Sequence, residues 1–317
     1  MGSHVIGIDV GGTMIKGGLF DEHGTLIKKE SIPTGKGDDQ EHFIDAISSL
    51  AGLLQKDGPA SGLGMGAAGV IDRERTLLIE SPNLPCLNNF PVKQMLERTL
   101  SMPVFIENDA NVAALGERWA GSGKDESSFL LITLGTGIGS GLILNGSLWS
   151  GEKGKAGEFG HLVVNPDGAL CACGKKGCLE AHASGTAIVR MAREELAAGG
   201  QTSLQPSHDT PDGVTPEAVY REAKKGDRIC ADIYYTAARY LAVGIANVNN
   251  LLDIHHFILG GGVSKAFDLF ADVLIKEIRC NVFSVSRDAV RVVVSRLGND
   301  AGIYGAGYLA KEQYAGR

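Results

Sequence analysis

The sequence predicts an α/β protein built from two related halves. Three observations carry that expectation. Apolar strand-like runs alternate with stretches of helical periodicity. A strand, a glycine turn and a second strand occupy residues 5–20, and the same pattern returns at 129–144. At an offset of 124 residues Gly11 falls on Gly135, Gly17 on Gly141, and Leu19-Phe20 on Ile143-Leu144. A fixed offset spanning all three features reads as an internal duplication.

The elements follow in order. Val5 to Ile8 is an apolar strand ending in Asp9-Val10-Gly11-Gly12-Thr13, and Ile15 to Phe20 is the second strand. Asp21-Glu22-His23-Gly24 forms a turn into a third strand, Thr25 to Ser31. A helix is expected over Asp39 to Lys56, with Phe43, Ile44, Ile47, Leu50, Leu53 and Leu54 on one stripe. Gly62 to Ala67 reads as a buried strand, Pro82 to Pro85 as a loop, Val104 to Ile106 as a strand, and Ala110 to Trp119 as a helix. Phe129 to Ile132 and Leu142 to Leu144 make the second hairpin. Gln201 to Pro216, rich in Ser, Thr, Pro and Asp, reads as an exposed loop. Ile229 to Leu252 is a long helix, Phe257 to Leu259 a strand running into Gly260-Gly261-Gly262, and Val290 to Val294 a strand. The last helix, 303–313, is expected to pack back on the first half. That arrangement gives one domain of residues 1–117 plus 303–317 and another of 118–302.

The bulk composition narrows the class. A chain of 317 residues can bury two cores. Its 44 glycines are nearly twice the usual share of about 7%, and their clustering suggests backbone approaching a ligand. A net charge of -7 argues against a general nucleic-acid surface. No apolar run approaches the roughly 18 residues of a membrane span. A strand begins within a few residues of Met1, so no signal peptide fits. Cys86, Cys230 and Cys280 are scattered and read as small buried apolar residues, a usage suited to a reducing cytoplasm.

Gly11-Gly12-Thr13 and Gly135-Thr136-Gly137 each follow a strand. Glycine lets the backbone curl so that N–H groups point at phosphate oxygens, and the threonine hydroxyl adds a donor. Two such loops could hold one triphosphate, with Gly260, Gly261 and Gly262 admitting an adenosine. Neither loop has P-loop or dinucleotide spacing. Asp9 could hold Mg²⁺ through water or simply form a turn. Lys16 could neutralise phosphate charge or lie solvated on its strand.

Glu107-Asn108-Asp109 closes a strand and opens a helix, so Asp109 is a natural N-cap. It could equally serve as the general base toward an attacking hydroxyl, and the two roles are compatible. A helix N-terminus should lower its pKa, which phosphoryl transfer tolerates because positioning outweighs base strength there.

Cys171, Cys173 and Cys178 fall within eight residues, and His161 stands ten positions upstream. Three thiolates and an imidazole close a tetrahedral zinc shell and leave no open position, the mark of a structural site. Reduced thiols or one disulfide without metal are the alternative. The metal would pin the loops bearing Glu158 and Glu180.

Together these segments resemble the ROK family of sugar kinases and sugar-responsive repressors. The sharpest part is Glu158-Phe159-Gly160-His161 followed by Cys171-Ala172-Cys173-Gly174-Lys175-Lys176-Gly177-Cys178-Leu179-Glu180. The resemblance implies a two-domain, actin-like (ribonuclease H-like) α/β fold with an inter-domain cleft. It implies Asp109 as catalytic base and His161, Cys171, Cys173 and Cys178 as zinc ligands. Asn83, Asn108, Asp109, Glu158, His161 and Glu180 would contact the sugar. Mg²⁺ would accompany ATP at Asp9, Gly11, Gly12, Thr13, Lys16, Gly135, Thr136 and Gly137. Two departures stand out: Ala68 where the family usually has Pro, and Asp253-Ile254 where Asp-Pro is common.

The resemblance therefore implies ATP-dependent phosphorylation of a hexose, glucose at its 6-hydroxyl first. N-acetylmannosamine, N-acetylglucosamine, fructose and mannose are the alternative acceptors, and polyphosphate an alternative donor. A sugar-sensing regulator is the rival of another class; the repressor branch carries a helix-turn-helix domain ahead of the first strand, and the acidic balance favours an enzyme. A homodimer or homotetramer is expected, with helix 229–252 serving either the interface or its own core.

Overall fold

The structure, a computed structural model, describes residues 4–35, 39–81, 84–204 and 213–315. The chain divides into two compact units. Residues 1–131, 141–157 and 295–317 form the first, and 132–140 and 158–294 the second.

The first unit opens with β1 (His4–Val10), β2 (Met14–Phe20) and β3 (Leu26–Pro33), followed by α1 (Gln40–Leu54) and β4 (Ala60–Ala67). A small hairpin of β5 (Val70–Ile71) and β6 (Leu78–Glu80) precedes α2 (Val92–Leu100), β7 (Val104–Asn108) and α3 (Asp109–Ala120). The strands form one sheet in the order β3-β2-β1-β4-β7. The β1–β2 and β2–β3 pairs are antiparallel; β1–β4 and β4–β7 are parallel.

Both faces of this sheet are covered, which explains why β1 is apolar rather than alternating. Ile6, Ile8 and Val10 point into a core shared with Phe43, Ile44, Ile47, Leu50 and Leu54 of α1. Each fully buried side chain of that size is worth about 1.5–3 kcal/mol. The alternate residues Gly7 and Asp9 point to the other face, toward the C-terminal helix Ala301–Ala315. That helix approaches the sheet backbone to backbone: a Cβ on Gly7 would meet the carbonyl of Ile303, and one on Gly64 the carbonyl of Ala306. Gly116 and Gly305 play the same part between α3 and this helix. A good share of the glycine excess therefore serves helix packing and not ligand approach.

The chain continues with β8 (Phe129–Leu134), β9 (Ile138–Leu144) and β10 (Ser147–Leu148). Two further helices follow, α4 (Glu180–Ala183) and α5 (Gly185–Ala197), and then α6 (Pro216–Lys224) and α7 (Arg228–Leu252). The last elements are β11 (His256–Gly260), α8 (Phe267–Asn281), β12 (Arg291–Val294) and the C-terminal helix, α9 (Ala301–Ala315). The second sheet runs β10-β9-β8-β11-β12 and repeats the order of the first. β9 begins and ends 124 residues after β2. The division into units passes through β8 and β9.

In the second unit α7 spends its apolar stripe at home: Ile233, Ala237, Leu241 and Ile245 are buried, while Val243 and Val248 are half-buried. Asp227 caps it by accepting from the Cys230 amide at 3.0 Å. Tyr234 stacks on Phe270 of α8, ring centroids 6.1 Å apart, and donates its hydroxyl to the Pro216 carbonyl. Helix α5 was not expected from the sequence, although Ser184 caps it by accepting from the Ala187 amide. Cys230 is buried and Cys86 half-buried, but Cys280 is exposed in the last turn of α8, contrary to expectation. A 15-residue helix packed on one side leaves such a position in solvent.

Candidate active site and metal centre

In the first unit the Gly11-Gly12-Thr13 turn joins β1 to β2. Thr34 holds it from behind, donating its hydroxyl to the Gly11 carbonyl at 2.7 Å and its amide to the Thr13 carbonyl at 2.9 Å. With those carbonyls turned inward, Gly12 and Thr13 stand exposed. Asp9, one residue before the end of β1, lies on the α9 face, where a Cβ on Gly302 would displace its carboxylate. Burial pushes the Asp9 carboxyl up to about 6; the Lys16 charge opposes this, and Asp109 and Asp300 reinforce it. Lys16 donates to the Asn299 carbonyl at 3.1 Å, so it sits beside this acidic group rather than loose on its strand.

Asp109 is the first residue of α3, and the N-cap is Asn108. The Asn108 side-chain oxygen accepts from the amides of Ala110 (3.0 Å) and Asn111 (3.2 Å), and its Nδ2 donates to the Gly69 carbonyl at 3.0 Å. The capping role expected of Asp109 thus falls to its neighbour, because the Asn108 backbone is still extended where a cap must be. Asp109 Oδ1 accepts from Ala110 N at 2.9 Å. Its carboxyl is raised by burial, which outweighs the hydrogen bonds from Ala110 and Asn108. The lowering expected from the helix terminus is overridden for the same reason.

Sequence reasoning passed over Glu107. It is buried, and Arg75 reaches it at 2.8 Å from the β5–β6 hairpin. Its other oxygen accepts from Asn108 N and Asn111 Nδ2, each at 3.0 Å. Arg75 is itself held in the left-handed region (φ 55°) by a turn in which Asp72 accepts from Thr76 and Leu77. The network clamps both sides of Asp109. A carboxylate immediately before the Asn-Asp pair, in an otherwise apolar strand, was the available signal.

In the second unit the Gly135-Thr136-Gly137 turn repeats the first loop's device. Gly185 N donates to Gly135 O at 2.8 Å, and the Thr186 hydroxyl to Thr136 O at 2.8 Å. Thr136 is exposed. Gly261 adopts φ +83° and packs on the backbone of Leu134, so glycine is required there on two counts; Gly260 ends β11 and Gly262 follows.

His161, Cys171, Cys173 and Cys178 converge, with their ligand atoms all within 4.8 Å of one another. Gly174 (φ 86°) and Gly177 (φ 77°) turn the chain between the cysteines. Cys171 Sγ lies 3.7 Å from His161 Nδ1, and Cys173 Sγ lies 3.6 Å from Cys178 Sγ. Two thiolates each about 2.3 Å from a tetrahedral zinc would stand roughly 3.7 Å apart. The donor set and its spacing fit zinc, and 3.6 Å is far beyond a disulfide. All three cysteines are free thiols.

His161 divides its two nitrogens: Nδ1 faces the cluster, and Nε2 faces Glu158 Oε2 at 4.0 Å. Glu158 is exposed. Glu180 Oε2 accepts from Ile138 N at 2.9 Å, and Oε1 lies 3.8 Å from Cys171 Sγ. Asn83 lies outside the described residues.

A model of the ROK family matches residues 5–313. The chain belongs to the ROK family. It is 37% identical to a glucokinase of Halalkalibacterium halodurans over 314 residues, covering 97% of this chain and 95% of that protein. It is 38% identical to a glucokinase of Streptomyces coelicolor over 311 residues, covering 97% of each. A ROK family glucokinase from Streptomyces griseus, solved with glucose and AMPPNP, superposes with a TM-score of 0.83 at 35% identity, covering 98% of this chain and 100% of that one. The two-domain, actin-like ATPase fold of ROK sugar kinases is therefore the fold of this chain.

Proposed function

We infer that this chain transfers the γ-phosphoryl group of ATP to a hydroxyl of glucose. The observation that carries the reading is Asp109. It is half-buried, its helix-capping duty has passed to Asn108, and desolvation holds its carboxyl above the ordinary aspartate value. The glucokinases of H. halodurans and S. coelicolor support the substrate, as does the S. griseus complex.

In this reading the sugar O–H bond breaks as Asp109 takes the proton. The oxygen bonds to the γ-phosphorus, and the bond to the β-phosphate oxygen breaks to release ADP. The amides of Gly12, Thr13, Thr136 and Gly137 and the Thr13 and Thr136 hydroxyls hold phosphate oxygens. Gly260, Gly261 and Gly262 make room for the adenosine. Asp9 would hold Mg²⁺ through water, and the ion would supply positive charge that offsets that of the phosphates. The Lys16 charge lies beside Asp9 and partly offsets the burial of its carboxylate. Asn83, Glu158 and Glu180 bind sugar hydroxyls, together with His161 through Nε2. Asn108 Nδ2 has one N–H left for the sugar after serving Gly69. His161, Cys171, Cys173 and Cys178 would hold a zinc ion, which would stiffen the loops that carry these groups.

No helix among the described residues is long and apolar enough to cross a membrane. We place the enzyme in the cytoplasm, where its thiols stay reduced. Leu251, Phe283 and Val285 are exposed, and the Phe283 amide donates to Asn250 beside Leu251. This apolar surface supports assembly into a homodimer or homotetramer.

The test is a coupled ADP-release assay over a sugar panel. Glucose is expected to give the highest kcat/KM. Asp109→Ala should lose at least 10³-fold in kcat while glucose binding and the melting temperature persist. Near-normal turnover in that variant would remove Asp109 from the mechanism.

A further inference from the structure

The second phosphate turn rests on the segment that the metal cluster anchors. Only Leu179 separates Cys178 from Glu180, and Glu180 holds the Ile138 amide at 2.9 Å, at the exit of the Gly135-Thr136-Gly137 turn. A Cβ on Gly137 would run into that same carboxylate, so Gly137 is what lets Glu180 seat there. Glu180 also faces back to the cluster, with Oε1 3.8 Å from Cys171 Sγ. Five residues on, Gly185 N bonds the Gly135 carbonyl at 2.8 Å. The Thr186 amide (3.3 Å) and hydroxyl (2.8 Å) both reach the Thr136 carbonyl. Every residue involved belongs to the second unit. The backbone of the turn is thus held at its entrance, middle and exit by residues 180–186, and Cys178 fixes where that stretch begins.

We propose that the metal cluster governs nucleotide binding, with Glu180 and Thr186 as the positioning residues that transmit it to the second phosphate turn. Without the metal, Cys178 is released and Glu180 loses its fixed backbone. The Ile138 amide and the Thr136 carbonyl then lose their partners, and the turn no longer presents its N–H groups in a set geometry. Preorganisation of donors is what gives such a turn its affinity for phosphate. The nucleotide arm of this proposal rests on the kinase reading above; the mechanical link between cluster and turn does not.

The experiment compares zinc-loaded protein with protein stripped by a chelator. It measures AMPPNP affinity by calorimetry, glucose affinity separately, and amide exchange across 135–138. Stripping should weaken AMPPNP at least tenfold and speed exchange at Ile138 by a similar factor. Thr186→Ala lies outside the metal set and the expected sugar set. It should weaken AMPPNP about tenfold while keeping one zinc per chain and unchanged glucose affinity. Should stripping unfold the second unit, Thr186→Ala and Glu180→Ala with zinc bound decide the matter. Unchanged AMPPNP affinity and unchanged exchange in stripped protein, or in both variants, would overturn the proposal. A zinc-loaded wild type that binds no AMPPNP would sink the kinase reading alone, because exchange at 135–138 still reports the link.

Discussion

Asp9→Asn isolates the tension built in beside the first glycine turn. The wild-type carboxyl is pushed from 3.8 up to about 6 by burial, and by Asp109 and Asp300 nearby. A carboxyl raised on folding binds its proton more tightly in the native state than in the unfolded one. Stability therefore falls as pH rises from about 4 to about 6 and stays low above that window. Two pKa units correspond to about 3 kcal/mol at pH 8, where Asp9 is ionised in a site that disfavours its charge. Asparagine keeps the shape without the charge, so Asp9→Asn should be more stable than wild type by about this amount at pH 8 without ligand. For a chain of this size that is a rise in Tm of roughly 5 °C. At pH 4 the two proteins should melt together. On the proposed function turnover should move the other way, with kcat falling at least 100-fold because the carboxylate that would hold magnesium is gone. Thermal scans from pH 4 to pH 8, paired with the coupled assay, read both effects. A variant no more stable than wild type at pH 8, or a gap that does not close toward pH 4, would refute the assignment of strain to this carboxylate.

Two further outcomes follow from the packing around Asp109. Arg75→Ala leaves Glu107 buried with its ion-pair partner removed; with Arg75 about one-third exposed, the loss should be on the order of 2 kcal/mol. Its kcat should fall more than KM rises, and Glu107→Gln in the same chain should restore most of the stability, as a double-mutant cycle by denaturation and kinetics will show. Gly305→Ala places a methyl group against the Val112 carbonyl and must push α9 off α3. A loss of about 3 kcal/mol or more in stability is expected, and a variant that melts with wild type would remove the close helix contact from the account.

Much of the fold was legible because its signals are local. Apolar runs and glycine turns are properties of the covalent chain, and their return at 124 residues foretold two related halves, each with a glycine-rich hairpin; that the two sheets share one strand order came from the structure. The convergence of His161 with Cys171, Cys173 and Cys178 was legible for the same reason, since the three cysteines lie within eight residues. Asp109 was picked out too, but its environment was misjudged: sequence position placed it as the helix cap with a lowered pKa. Burial and the prior claim of Asn108 on the cap reversed both. Glycine was over-read as a ligand signal, because nothing local distinguishes a residue that meets a phosphate from one that meets another helix.

The sequence by itself determined the duplicated α/β plan, the two glycine turns and the grouping of His161, Cys171, Cys173 and Cys178, which could hold a metal ion. Each is set by residues close in the chain, where backbone geometry and side-chain chemistry suffice. Tertiary structure alone decided which carboxylates are strained and what holds each turn from behind. Asp9 meets Asp300, Thr34 reaches Gly11, and Thr186 reaches Thr136 only after the chain has folded back. Burial and long-range hydrogen bonds depend on distances that sequence separation does not encode.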